Sequence, residues 1–241
     1  MRPLAPRHFK NIEDALRQGL EADQAGDVPS TLQALEYAAA GGQSLARWKL
    51  ARMYEDGTGV AHNDLKAYKY YSSIVADYDP SDPDRRDRAV VSSAFVAMGT
   101  YALKGIPNTR VVPDPGRAMQ MFQVAATEFR NAEAQYELAR MFMDGLATHK
   151  DLRQAAGWLQ LAAEKNHCQA QALLGRLLFN GGDGIPRQRA RGLMWLSLAE
   201  ANAKAQPQDE WIGTLYQQAM TAADDDDRQA AKFYLAARQK K

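Results

Sequence analysis

Apolar and small residues return along this chain at the spacing of a helical turn, and the same short arrangement then returns at a longer interval. Ala46, Leu50, Met53 and Tyr54 fall on one side of a helix at about 100° per residue. The stretch Leu50-Ala-Arg-Met-Tyr-Glu-Asp-Gly57 has three counterparts: Met98-Gly-Thr-Tyr-Ala-Leu-Lys-Gly105, Leu138-Ala-Arg-Met-Phe-Met-Asp-Gly145 and Leu174-Gly-Arg-Leu-Leu-Phe-Asn-Gly181. They begin at residues 50, 98, 138 and 174, hence 48, 40 and 36 residues apart. A small residue stands four positions before each (Ala46, Ala94, Ala134, Ala170), and another follows the leading Leu or Met (Ala51, Gly99, Ala139, Gly175). Matched small side chains let neighbouring helices approach closely. The closing glycine suits a helix that ends in a left-handed cap.

A second helix follows each signature. Lys66-Ala67-x-x-Tyr70-Tyr71, Arg117-Ala118-x-x-Met121-Phe122, Gln154-Ala155-x-x-Trp158-Leu159 and Arg191-Gly192-x-x-Trp195-Leu196 each set a large pair three and four positions after a small residue, on one helical face. Self-similarity at this period marks an array whose units bury their apolar faces only against neighbours. The fold class predicted is therefore all-α, an α/α superhelical solenoid of helix-pair repeats with about twelve helices. Residues 1–43 read as an N-terminal capping pair and 203–241 as a C-terminal one, with the break at Gln206-Pro207-Gln208-Asp209. Residues 77–87 and 106–115 are polar and carry prolines, which predicts exposed loops.

Together these features resemble the Sel1-like repeat, a relative of the tetratricopeptide repeat, with four copies over residues 44–202. That family's pattern runs small residue, Leu-Gly-x-x-Tyr, Gly-x-Gly-Val, Asp, Lys-Ala, Trp-Tyr and Ala-Ala. Leu50 to Tyr71, including Gly57-Thr-Gly-Val60, Asp64 and Lys66-Ala67, follow it nearly step for step. Two departures stand out: Ile106-Pro107 and a longer loop replace Gly-x-Gly-Val in one copy, and Gly192 stands where Ala is usual.

Charge narrows the partners. The 241 residues carry 30 basic and 29 acidic side chains, a net charge of +1. Nucleic acid and anionic membranes both call for a strong positive field, so neither is expected. No run of 18 apolar residues is present to span a bilayer. Residues 1–10 lack the apolar centre of a secretory signal, and the lone Cys168 suits a reducing or an oxidising compartment, so composition leaves the address open.

No nucleophile elbow, zinc-protease helix, phosphate loop or dinucleotide fingerprint occurs, and no catalytic, cofactor or metal site is expected. His62 and His149 occupy nearly equivalent loops, and Cys168, opening a repeat helix, is expected to pack rather than react. Asp224-Asp-Asp-Asp227 could suit a hard cation, but acids in a first helical turn favour the positive end of the helix dipole, and capping is the preferred reading.

One pattern exceeds what repeat architecture requires. With Ala46, Leu50, Met53 and Tyr54 inward, Trp48, Arg52 and Glu55 point outward. The equivalent positions are Val96, Thr100 and Leu103; Tyr136, Arg140 and Met143; and Ala172, Arg176 and Phe179. A partner-binding face of Trp48, Arg52, Val96, Thr100, Tyr136, Arg140, Met143, Arg176 and Phe179 is predicted. Aromatics, Met and Arg are enriched at interface centres, and arginines in a row would take carboxylates from an acidic partner segment.

Within the Sel1-like family the chain is similar to the rhizobial negative regulators of exopolysaccharide synthesis. The carrying residues are Trp48-Lys-Leu-Ala-Arg-Met-Tyr54, Lys104-Gly-Ile-Pro107, Asn131-Ala-Glu-Ala-Gln-Tyr136, Arg140-Met-Phe142 and Trp158 to Lys165, continued by Gln169 to Ala172 and Leu177 to Phe179. The resemblance implies a periplasmic protein exported by a cleaved signal. It would bind the periplasmic sensing domain of a membrane sensor histidine kinase and hold it inactive, until proteolysis releases control of exopolysaccharide and motility genes. Residues 77–87 are the first candidate for that cleavage. The periodicity itself supplies a scaffold with an interaction face, which serves equally an assembly protein of a cell-envelope or polysaccharide-secretion complex, in the periplasm or in the cytoplasm.

Overall fold

The computed structural model describes residues 9–81, 87–203 and 209–239. Among them are twelve α-helices: α1 (Ile12–Gln24), α2 (Val28–Ala40), α3 (Ser44–Asp56), α4 (Asp64–Ala76), α5 (Arg88–Lys104), α6 (Pro115–Thr127), α7 (Ala132–Asp144), α8 (Leu152–Ala163), α9 (Cys168–Asn180), α10 (Arg189–Ala203), α11 (Glu210–Ala222) and α12 (Asp225–Gln239). The chain forms two compact units, residues 1–121 and 122–241. In the first, α1 to α5 pack in chain order, with α3 also touching α5. In the second, α7 to α11 do likewise, and α9 reaches α11 while α10 reaches α12.

Side chains that the sequence places just before α1, α4, α7 and α8 start those helices. Asn11 accepts from the Asp14 N–H at 2.7 Å, Asn63 from Lys66 at 2.9 Å, Asn131 from Ala134 at 3.1 Å, and Asp151 from both Arg153 and Gln154 at 3.0 Å. Each supplies an acceptor to N–H groups the helix cannot pair internally. At the other end the signature glycines diverge. Gly57 and Gly145 are left-handed caps (φ 69° and 71°), and the next N–H returns to the Met53 and Met141 carbonyls. Gly105 and Gly181 share the positive φ but are extended in ψ (−178° and −167°), a region open to glycine alone. Each loop then closes with one bond back to the first helix: Asn63 to Tyr54, Asp114 to Ala102, Asp151 to Phe142 and Gln188 to Leu178.

The small residues lie at the closest approaches. Ala46, Ala67, Ala94, Ala118, Ala134, Ala155 and Ala170 are wholly buried. In the first unit Leu50, Met53, Leu35 and Ala38 form one core cluster, and Tyr54, Tyr71, Ile74, Met98 and Tyr101 another. In the second, Gly175 and Gly192 bring α9 and α10 nearest together. A Cβ on Gly192 would lie 2.5 Å from the Phe179 nitrogen and 2.6 Å from the Gly175 carbonyl oxygen. That contact explains why Ala is replaced at this position.

Successive pairs are tied by a polar side chain the sequence reading did not single out. The residue directly after the first small position, Arg47, Gln135 or Gln171, donates to a carbonyl at the end of the preceding helix: Ala39 at 3.1 Å, Ala126 at 3.2 Å and Ala163 at 3.0 Å. Gln135 is 2% exposed and Gln171 not at all. Their amide oxygens are also met, by Lys165 Nζ at 2.6 Å and Asn202 Nδ2 at 3.0 Å, so neither buried amide is left unpaired.

Of the two expected loops, 106–115 is not simply exposed. Ile106 is buried in the core, its N–H donates to the Val111 carbonyl at 2.8 Å, and Thr109 Oγ1 bonds both within the turn. Val111 packs partly against the same core, while Pro107, Asn108, Arg110 and residues 112–114 are exposed as expected. In the other, Asp77 pairs with Arg47 and the Tyr78 ring meets Phe95 edge-on at 5.3 Å, while residues 82–86 lie outside the described residues, as does the 206–208 break.

Glycine replacements read this packing directly. Gly192→Ala should destabilise by about 1–3 kcal/mol, since backbone atoms line the only space for the new methyl. Gly157→Ala, in mid-helix with open space around it, should stabilise by about 0.5–1 kcal/mol. Urea midpoints of the two variants would move in opposite directions; a neutral Gly192→Ala would contradict the close approach.

Candidate interaction surface

In the first unit the expected face is assembled on α3 and α5. Arg52 is exposed and pairs along its own helix, with Glu55 at 3.3 Å and Asp56 at 3.0 Å. Trp48 is half-buried, for its ring packs on the core and its Nε1–H donates to Ser93 Oγ at 2.9 Å. It therefore ties α3 to α5 and is only partly open to solvent. Val96 and Thr100 are half-buried on α5, and the Thr100 hydroxyl is spent on the Val96 carbonyl at 3.1 Å.

Beside this face lies a polar cluster. Glu55 accepts from the Tyr71 hydroxyl at 2.8 Å, and Asp64 from the Tyr101 hydroxyl at 3.0 Å. Burial raises both phenols above their ordinary range, so both remain donors. His62, in the loop between α3 and α4, turns Nδ1 to the Glu55 carbonyl at 2.7 Å and Nε2 to Asp64 Oδ2 at 3.1 Å. A carbonyl can only accept, so Nδ1 carries a proton, and Nε2 can donate to Asp64 only in the imidazolium. The carbonyl first and the carboxylate second raise the His62 pKa above its usual value.

In the second unit Arg140 is exposed and pairs with Glu137 at 3.3 Å, its guanidinium 5.8 Å from the centre of the Tyr136 ring. Tyr136 is half-buried and stacks on His167 at 4.7 Å; His167 in turn reaches Glu133 at 2.9 Å. Met143 is half-buried. Arg176 is half-buried and lines a recess of about 260 Å³ between α9, α10 and α11.

Two outward assignments are corrected. Phe179 is 6% exposed and Ala172 not at all. A first helix flanked on one side leaves such positions free, but α9 is flanked by α8, α10 and α11 together. The Arg189 guanidinium closes over the Phe179 ring at 4.9 Å, and Ala172 joins a cluster with Ala199, Ala203 and Ile212. Phe179 thus belongs to the interior wall of the recess, not to an exposed docking face.

The other candidate groups have structural partners. Asp224 caps α12 by accepting from the Asp227 N–H at 2.8 Å; Asp227 pairs with Arg189 at 2.9 Å and Asp225 with Arg228 at 2.8 Å. These contacts account for the acidic run as a cap. Cys168 packs against the Ala172 cluster with Sγ 3.5 Å from Asp209 Oδ2, and burial ahead of that carboxylate pushes its thiol pKa up. A raised thiol is a poor nucleophile.

This arrangement of paired helices matches the Sel1 repeat family at residues 44–74, 96–128, 132–167 and 168–202. The chain is 35% identical over 215 residues to a protein of Rhizobium meliloti (strain 1021) named "Exopolysaccharide production negative regulator", spanning 88% of this chain and 76% of that one. A protein of the same name from Rhizobium leguminosarum bv. viciae is 33% identical over 219 residues, with 90% and 79% covered. Among solved structures, a Sel1 repeat protein from Oxalobacter formigenes shares the fold, with a TM-score of 0.69 at 24% identity over 95% of this chain and 88% of that one. No helix of the described residues is long and apolar enough to cross a membrane.

The His62 contacts predict a pH dependence. Because the folded pKa is raised, the proton stabilises the fold fully below the unfolded value of about 6.5, and that contribution disappears as pH rises through the folded value. In urea titrations across this range, His62→Gln should fall below the parent protein on the acid side and converge with it on the alkaline side. A gap that does not change with pH would contradict the assigned contacts.

Proposed function

The chain belongs to the Sel1 repeat family, and we propose that it is a non-enzymatic, protein-binding repressor of a membrane sensor histidine kinase that controls exopolysaccharide synthesis and motility. In this reading it works in the periplasm, grips the kinase's periplasmic sensing domain in its inactive conformation, and is removed by proteolysis. The supporting observation is the similarity of about nine-tenths of the chain to two relatives named as negative regulators of exopolysaccharide production.

The surface chemistry suits the task. Arg52 and Arg140 are held by acids on their own helices, and exposed pairs of this kind are worth at most about 1 kcal/mol. Exchanging those acids for carboxylates of a partner therefore costs little. Trp48 and Tyr136, each anchored by a contact behind it, offer pre-ordered aromatic edges beside the two arginines, which lowers the entropy lost on binding. Repression then consists of binding one kinase conformation better than the other. Moving that equilibrium from mostly active to mostly inactive takes a difference of about 5.5 kcal/mol, within reach of a few strong contacts.

Calorimetry with the purified sensing domain tests the reading. We expect one-to-one binding that weakens about tenfold or more in Arg52→Ala with Arg140→Ala, at unchanged helicity. Absence of binding by the parent protein would refute the repressor role; unchanged affinity in the double variant would refute only these contacts. Limited proteolysis is expected to cut first within 77–87, and first cuts inside a helix would remove that segment as the release point.

A further inference from the structure

Three arginines hold matching positions on first helices, two places after the signature's leading residue: Arg52, Arg140 and Arg176. The first two are neutralised by acids on their own helix, Glu55 and Asp56 for Arg52 and Glu137 for Arg140. On α9 the same three neighbours are Leu173, Phe179 and Asn180, none of them acidic. Arg176 accordingly makes no ion pair, hydrogen bond or ring contact with any described residue, although it is half-buried. A partly desolvated guanidinium without a counter-ion is costly unless something supplies one.

The space beside it is shaped for a particular kind of anion. Leu215, with the small open parts of the buried Phe179 and Leu196, forms the apolar side of the 260 Å³ recess, and Asn180, Gln218 and Ala222 stand with Arg176 around the rest. Among the described residues no acidic side chain lines it. The nearby Arg189 pairs with Asp227 and lies over the Phe179 ring, so among the described residues Arg176 is the one free positive charge at the recess. One guanidinium matches one carboxylate, which it can bind through two parallel N–H bonds, while the side-chain amides can serve the same oxygens. A dianion would find too little positive charge, and the walls reward an apolar body. The volume lies below the range of about 300–1,000 Å³ usual for drug-sized ligands.

We propose that this recess binds a small free monocarboxylate with a short apolar chain or ring, Arg176 holding the carboxylate and Phe179, Leu196 and Leu215 enclosing the rest. The site is independent of the kinase reading, because it requires no second protein. In that reading, however, a small acid bound between α9, α10 and α11 would be an input the repressor can sense.

Hexanoate and benzoate are the probes, with hexanamide and inorganic phosphate as controls, measured by calorimetry and ligand-observed NMR on the full chain. Both acids should bind saturably, while the amide and phosphate should not. Arg176→Gln should weaken binding about tenfold or more, because the charge-assisted hydrogen bonds to the carboxylate are lost. Arg176→Lys should retain part of the affinity, and Ala222→Leu at the rim should obstruct entry; circular dichroism checks that each variant keeps its helices. No saturable binding of either acid at millimolar concentration, or affinity indifferent to Arg176→Gln in a folded variant, would overturn the site. An acidic peptide with blocked ends that binds more tightly than the free acids, with the same dependence on Arg176, would overturn the small-acid ligand in favour of a partner's side chain.

Discussion

The distance between helix axes within each pair governs this structure. Ala and Gly at matched positions on facing helices remove the side chains that would hold the backbones apart, and dispersion between closely packed atoms replaces them. An alanine buries little apolar area, so the hydrophobic gain is concentrated in the few large residues the close approach encloses, such as Leu50, Tyr71, Leu138, Leu174 and Leu196. Gly175 against Gly192 is the limiting case, where neither helix leaves room for a methyl group. Each pair is thus a tight sandwich, and what remains variable is the outer side of its first helix.

That outer side is where polar chemistry accumulates, and its character differs between copies for local reasons. On α3 and α7 the arginine is balanced by acids one turn away, and an aromatic ring beside it is fixed from behind by Ser93 or His167. On α9 uncharged residues, Leu173, Phe179 and Asn180, have taken the acids' places, and the arginine lines a recess. A single repeat framework therefore yields both a set of exchangeable surface pairs and a sheltered guanidinium.

Most of the helical order was legible in the sequence because it rests on local signals: period, small residues, capping Asn and Asp, and closing glycines. The acidic run at 224–227 was readable as a cap for the same reason. What escaped depends on how many neighbours a helix has. An angle of 100° per residue places Trp48, Ala172 and Phe179 opposite one packing partner, but it says nothing of a second or third, and α11 with Arg189 buries Phe179. The burial of Ile106 within the otherwise exposed 106–115 loop escaped because Ile106 and Val111 gain their value only from the core they reach. The ties made by Arg47, Gln135 and Gln171 left a trace that could have been followed. A polar residue recurs on the buried side of three first helices, where only a waiting acceptor would make it tolerable.

Those ties redefine the unit of inheritance in such an array. A boundary drawn at the start of a first helix separates each donor from the carbonyl it serves, since Gln135 and Gln171 belong to one copy and Ala126 and Ala163 to the one before. A duplication cut at that boundary preserves the bond only where the upstream copy already ends in a free Ala-Ala carbonyl. A segment running from one second helix through the following first helix carries its own joint wherever it is inserted. Shuffling along that frame lets the array grow or shrink without stranding a buried amide.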